Sequence, residues 1–249
     1  MIRYGMVVLI SLMSLVGMQA LVKPDPAMIL GRSLEAHGGW KAFEALPVLS
    51  FTGDFTTTKD AATINGHITR IMNNSGCERL EYRSSAGTSQ QGTNLEVQWE
   101  KSNDGPLIIH KSPADITRMH IHKLIATYQH IYPDTDIFTL RYKGIKDCNG
   151  GICHIILVTN NLNDDTVTYF VDKESFLIRG MKQRDSGNIV TCTFDDYAPC
   201  FGFLFPMKVK TVTQPGDQSI SWDFHDVSAM PADITLFSPP EQHSGGKTP

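Results

Sequence analysis

The segment FTLRYKGIKDCNGGICHIILVT, Phe138 to Thr159, decides the architecture. Asn149-Gly150 is a tight-turn dipeptide, because both residues accept the left-handed backbone that a two-residue hairpin loop requires. The flanking stretches Phe138–Lys146 and Cys153–Thr159 are rich in the aromatic and β-branched residues that suit a pleated surface. Cys148 and Cys153 bracket the turn and face each other across the two strands, within the reach of a disulfide. Such a bridge closes a short loop, so it fastens the hairpin more than the whole fold. A metal site on C-x4-C is the rival reading, but no second ligand pair at useful spacing accompanies it.

Working outward, the same pattern continues downstream through Thr166–Asp172, Leu177–Arg184, Asn188–Asp195, Leu204–Thr213 and Ser219–Asp226, with short links rich in Asn, Asp and Gly. Upstream, Leu49–Phe55 alternates apolar and polar residues with the period of a half-buried strand. Residues 62–74, 77–84 and 94–101 extend it, with turn signals at Asn65-Gly66, Ser75-Gly76, Ala86-Gly87 and Asp104-Gly105. Ser112-Pro113-Ala114-Asp115 opens a helix that runs to about His130 and is closed by Pro133. A first helix starts at Asp25-Pro26, carries Ile29, Leu30, Ser33, Leu34 and His37 at helical period, and breaks at Gly38-Gly39. The fold class expected is therefore mainly β (α+β). Roughly ten or eleven antiparallel strands form a strongly curved sheet or incomplete β-barrel, with helices covering its open cavity.

The N-terminus reads as a signal for export. Arg3 precedes the apolar run Met6–Met18, small and polar residues follow, and a cut after Ala20 is expected. The run is shorter than the roughly 20 apolar residues of a membrane span. The expected organisation is a signal peptide over 1–20, one domain over 25–238 and a disordered polar tail over 239–249, with the periplasm as the destination. Apolar content of 41% and charge of 19% suit a globular chain. A net charge of -4 without a basic cluster excludes nucleic acid as the expected partner. The five cysteines then meet an oxidising compartment. Cys192 and Cys200 are a second candidate pair, which leaves Cys77 alone.

Several motifs resemble those of a family of exported bacterial proteins. Leu34-Glu-Ala-His-Gly38-Gly39 followed by Trp40–Leu46 and Leu49-Ser-Phe51-Thr-Gly53 is similar to its opening of helix, Gly-Gly, short helix and first strand. Tyr169-Phe-Val-Asp172 with Leu177-Ile-Arg179, then Asp196-Tyr197 and Phe205-Pro206, resemble its later hairpins. The family is that of the outer-membrane lipoprotein-sorting proteins, the LolA/LolB-like superfamily. The resemblance implies an incomplete barrel covered by helices, with an apolar cavity that receives acyl chains. It implies lipid or an acylated lipoprotein as partner, in exchange with an outer- or inner-membrane envelope complex, and a monomer without cofactor, metal or catalysis.

The candidate lining residues are Leu49, Phe51, Phe55, Val97 and Trp99 on the strands, and Met119, Leu124, Ile125 and Tyr128 on the inserted helix as a lid. Ordinary core packing is the competing reading for each. Met72 and Met119 adapt to varied ligand shapes, and Trp99 is the expected fluorescent reporter of an acyl ligand. A second reading is an envelope module that docks a protein through exposed sheet edges. A third is a histidine-based metal-dependent hydrolase around His120, His122 and His130, with His110 and Asp115 nearby. It lacks an H-E-x-x-H motif and a nucleophile elbow.

Overall fold

The computed structural model describes residues 23–240, apart from 95, 104, 113–136, 149, 162–164, 186 and 217. Asp25 caps the first helix, α1 (Pro26–His37), by accepting from the Ala27 N–H at 3.0 Å, and Pro26 occupies its first turn. The period read from the sequence is the buried face: Ile29, Leu30, Ser33, Leu34 and His37. Gly38, at φ 124°, ends it. A Cβ at Gly38 would stand 2.3 Å from the Gly202 carbonyl oxygen, so only glycine lets the helix end approach that turn. The short α2 (Gly39–Glu44) follows.

Among the described residues thirteen strands then form one antiparallel sheet. They are β1 (Val48–Lys59), β2 (Ala62–Met72), β3 (Glu78–Ser84), β4 (Gly87–Thr93), β5 (Gln98–Ser102) and β6 (Ile108–His110), then β7 (Phe138–Cys148), β8 (Gly151–Asn160) and β9 (Thr166–Asp172), and finally β10 (Ile178–Asp185), β11 (Asn188–Cys200), β12 (Phe203–Gln214) and β13 (Gln218–Met230). The strand order is β6-β5-β4-β3-β2-β1-β13-β12-β11-β10-β9-β8-β7. The chain therefore meanders from the centre to one edge, transfers to the opposite edge and meanders back until β13 pairs with β1. Among the described residues the ladder does not close, since β6 and β7 each have one strand neighbour there. Register shifts at Thr52/Gly53, Tyr142/Gly144 and Ile178/Gly180 insert extra residues, which bends strands and increases their twist.

One apolar cluster joins the helices to the inner face of the sheet. Leu30 and Leu34 of α1 are fully buried against it, with Leu49, Phe51, Ile156, Tyr169, Val171 and Phe203. A second, smaller cluster lies on the outer face. There a 3-10 turn, Ile234–Phe237, folds back after β13 and buries Phe237 beside Val48 and Cys77.

Three expectations change. The strands number thirteen because β4 and β6 were passed over. β4 (GTSQQGT) has no apolar residue and is a strand because β3 and β5 both pair with its backbone. Asn65-Gly66 is not a turn but lies inside β2, paired with Thr56 and Phe55. The reversal occurs at Asp60 and Ala61, whose φ values of 50° and 64° are left-handed. The Cys192–Cys200 pair does not form, and both thiols are buried. Both residues sit on the continuous strand β11, and at about 3.3 Å per residue they are roughly 26 Å apart. The Cys148–Cys153 disulfide is present across the β7–β8 turn, with Cα atoms 5.9 Å apart. The helix expected to open at Ser112–Asp115 and run to about His130 lies, from residue 113 on, outside the described residues, as do the expected signal peptide and the tail beyond 240. Among the described residues no helix is long and apolar enough to cross a membrane.

Candidate functional site

The helix α1 packs over β7, β9 and β12 and so fills only part of the concave face. Over β1–β5 and β10–β13 the described residues line two adjoining recesses of the inner surface, of about 370 and 590 Å³. Gln91, Thr211 and Trp222 line both. Such volumes fall in the range of small-molecule sites.

Strand register explains which side chains meet there. One transverse row runs Met181, Cys192, Thr211, Ile220 across β10–β13. The next runs Phe194, Val209, Trp222, Phe55, Gly66 across β11, β12, β13, β1 and β2. Because side chains alternate in direction, each row presents all its members to the same face. Gly66 makes room for the aromatic residue beside it, since a Cβ there would stand 2.8 Å from the Phe55 ring. Phe55 in turn meets Tyr82 edge-on, with ring centroids 5.1 Å apart.

The electrostatics are uneven. Burial pushes the Tyr82 hydroxyl far above the usual tyrosine range, so it stays protonated. The Trp222 indole N–H is buried beside it, with no hydrogen bond of standard geometry to a described residue. The Arg70 Nε donates to Glu78 Oε1 at 2.6 Å, an ion pair on the wall of the smaller recess. Burial also raises the Cys192 thiol, whose Sγ lies 3.4 Å from Thr211 Oγ1, so it is un-ionised and a poor nucleophile.

Of the residues nominated from sequence, Phe55 lines the larger recess. Leu49 and Phe51 lie in the main core, where the Phe51 ring contacts those of Phe205 and Phe224 at 5.3 and 5.5 Å. Met72 belongs to the same core. Val97 is half-buried just before β5. Trp99 is fully buried but points the other way. It shares the row Ser50, Ile71, Arg79, Gly92, Trp99 and donates its indole N–H to the Phe237 carbonyl at 2.9 Å. Met119, Leu124, Ile125 and Tyr128 lie outside the described residues, as do His120, His122 and His130. Sequence reasoning missed Tyr82, Arg70, Glu78, Val209 and Trp222. The alternation Ile220, Trp222, Phe224 was the available signal for the last of these.

The outer face offers a different recess of about 670 Å³ around Asp54, Lys208, Lys210 and Asp223. Its charges already satisfy one another: Lys208 lies 2.5 Å from Asp196, and Asp54 accepts from His225 at 3.1 Å and His67 at 2.7 Å. Those histidine hydrogen bonds, His225 first, hold the exposed Asp54 carboxyl below its ordinary range. Among the described residues no three His, Cys, Asp or Glu side chains are arranged to hold a metal ion.

No protein-family profile and no curated protein matches the sequence. Solved structures do match the fold. A DUF1329 family protein from Desulfovibrio piger superposes with TM-score 0.59 at 9% identity, covering 86% of this chain and 98% of that one. A LolA superfamily protein from Nitrosomonas europaea gives 0.57 at 10% identity, covering 86% and 98%. A putative outer membrane lipoprotein-sorting protein domain from Vibrio parahaemolyticus gives 0.51 at 10%, covering 84% and 93%. At such identity the likeness is one of architecture alone: the chain shares its fold, an open antiparallel sheet with an N-terminal helix, with these three proteins.

Proposed function

We propose that the protein is a periplasmic carrier that shelters acyl chains of lipids or lipoproteins in its concave cavity, without catalysis. The observation that carries this reading is the inner recess, walled by Met181, Phe194, Val209 and Trp222 and unfilled by any described side chain. Each methylene removed from water there contributes about 0.8 kcal/mol. About ten buried methylenes give roughly 8 kcal/mol, which offsets the cost of association. The name of the Vibrio parahaemolyticus domain, a lipoprotein-sorting protein, supports this cargo class. The apolar run at the N-terminus supports export, and with it the periplasm.

The test is native mass spectrometry of the full chain purified from the envelope, with organic extraction of what co-purifies. A bound lipid or acylated peptide is the expected result. An empty protein whose tryptophan fluorescence ignores a panel of added lipids would overturn the proposal. A second reading, docking of an envelope protein at a sheet edge, is favoured by Ile108 and Ile109, both exposed on the edge strand β6. Capture of one defined envelope protein, lost in an Ile108→Lys variant, would support it.

A further inference from the structure

The smaller recess has two unlike walls. Met181, Phe194, Val209 and Trp222 form an apolar one, while Arg70, Glu78, Gln91 and Gln98 form a polar one on β2–β5. The Arg70 and Glu78 side chains are only 24% and 34% exposed, and the guanidinium carbon lies 6.0 Å from the Phe51 ring centroid. Holding two charges on a partly dried surface costs solvation that their mutual attraction barely returns. A cargo of alkyl chain alone would be better served by aliphatic residues at both positions. The pair has therefore to recognise something polar.

Its chemistry limits what that is. Arg70 is already neutralised by Glu78 at 2.6 Å, so an anion that approaches the guanidinium also meets the carboxylate. The amides of Gln91 and Gln98 supply both donors and acceptors. A neutral group that both gives and accepts hydrogen bonds matches this set, whereas a carboxylate does not.

We propose that the cavity selects amphiphiles with an uncharged head that both donates and accepts hydrogen bonds, a hydroxyl or an amide, and discriminates against free fatty-acid anions. This rests on the carrier reading and specifies its cargo. The Glu78 carboxylate is the discriminating element, and Arg70 holds it in place.

The experiment titrates the protein with 1-oleoylglycerol, oleamide and oleate, which share one acyl chain, at neutral pH, following the tryptophan emission to which Trp40, Trp99 and Trp222 contribute. The two neutral probes are expected to bind at least about tenfold more tightly than oleate. Glu78→Gln frees Arg70 and should raise oleate affinity by about tenfold or more, reversing the order. If that variant does not fold, the double change Arg70→Met with Glu78→Met replaces the pair by apolar side chains of similar reach. It should bind the chains while losing the preference. Oleate binding as tightly as the neutral probes in the unaltered protein, or an order unmoved in the folded variants, would overturn the inference and leave the carrier reading intact. Failure of all three probes to bind would overturn the carrier reading itself.

Discussion

Phe237→Ala tests how the C-terminal turn holds the outer face. Phe237 has no exposed surface and packs on Val48 and Cys77, with Ile71, Met230 and Leu236 at the margin. A buried phenylalanine removes about 150–250 Å² from water, which at roughly 25 cal/mol per Å² is about 4–6 kcal/mol. Core Phe→Ala changes cost about 3–5 kcal/mol, so the two figures agree. For a chain of this size that is a fall in Tm of about 6–20 °C. The assay is urea denaturation with the slope held against the unaltered protein, so that a changed midpoint reports stability alone. Ile234→Ala is the control in the same turn, because its side chain is 56% exposed, and it should cost under about 0.5 kcal/mol. A Phe237→Ala loss below about 1 kcal/mol would refute the argument, since the turn would then be resting on the sheet rather than holding it.

Three further outcomes follow from the same structure. Thr211 lines both recesses, so Thr211→Trp should fill the space between them and weaken acyl binding at least about tenfold, with Tm little changed; lipid titration beside calorimetry checks it. Burial holds His37 below the ordinary histidine range, outweighing the hydrogen bond between its Nδ1 and the Ser33 carbonyl at 2.7 Å. The unfolded chain therefore takes a proton more readily than the folded one, and stability present above pH about 6.5 should fall as pH drops below that value. His154, also lowered by burial, adds in the same direction, and urea midpoints for His37→Gln should be less sensitive to pH than those of the unaltered protein. Replacing Cys148 and Cys153 together by serine should cost about 2 kcal/mol, measured by urea denaturation, because the loop they close is short.

The hairpin about Asn149-Gly150 was legible because its turn chemistry and its apolar strands agree. The face on which Trp99 lies was not. A single large residue on a short strand carries no record of its register, and a slip of one position sends every side chain to the other side of the sheet. Its direction depends on pairing with Gly92, whose missing side chain makes room for the indole. Arg70 and Glu78 were invisible for the opposite reason. Charged residues on an alternating strand read as solvent-facing, whereas β2 and β3 turn these two inward. Strand β4 escaped because hydrophobic period is the main signal and it has none. The Asn65-Gly66 signal was overridden by pairing on both sides of β2, with β1 and β3.

The seam between β1 and β13 governs how the molecule is assembled. Val48 pairs with Met230, and Thr58 with Ser219, so the earliest strand finds one partner only when the latest is available. Every other strand pairing is with a near neighbour in sequence and can form as short hairpins. The central pairing instead requires closure of a loop spanning almost the whole sheet, and such non-local contacts are what slow folding. A chain released before β13 leaves β1 as a raw edge in the middle of the future sheet. Partly made or partly threaded molecules thus expose a long strand with an unsatisfied backbone, a natural docking point for a holding chaperone and a natural origin of aggregation.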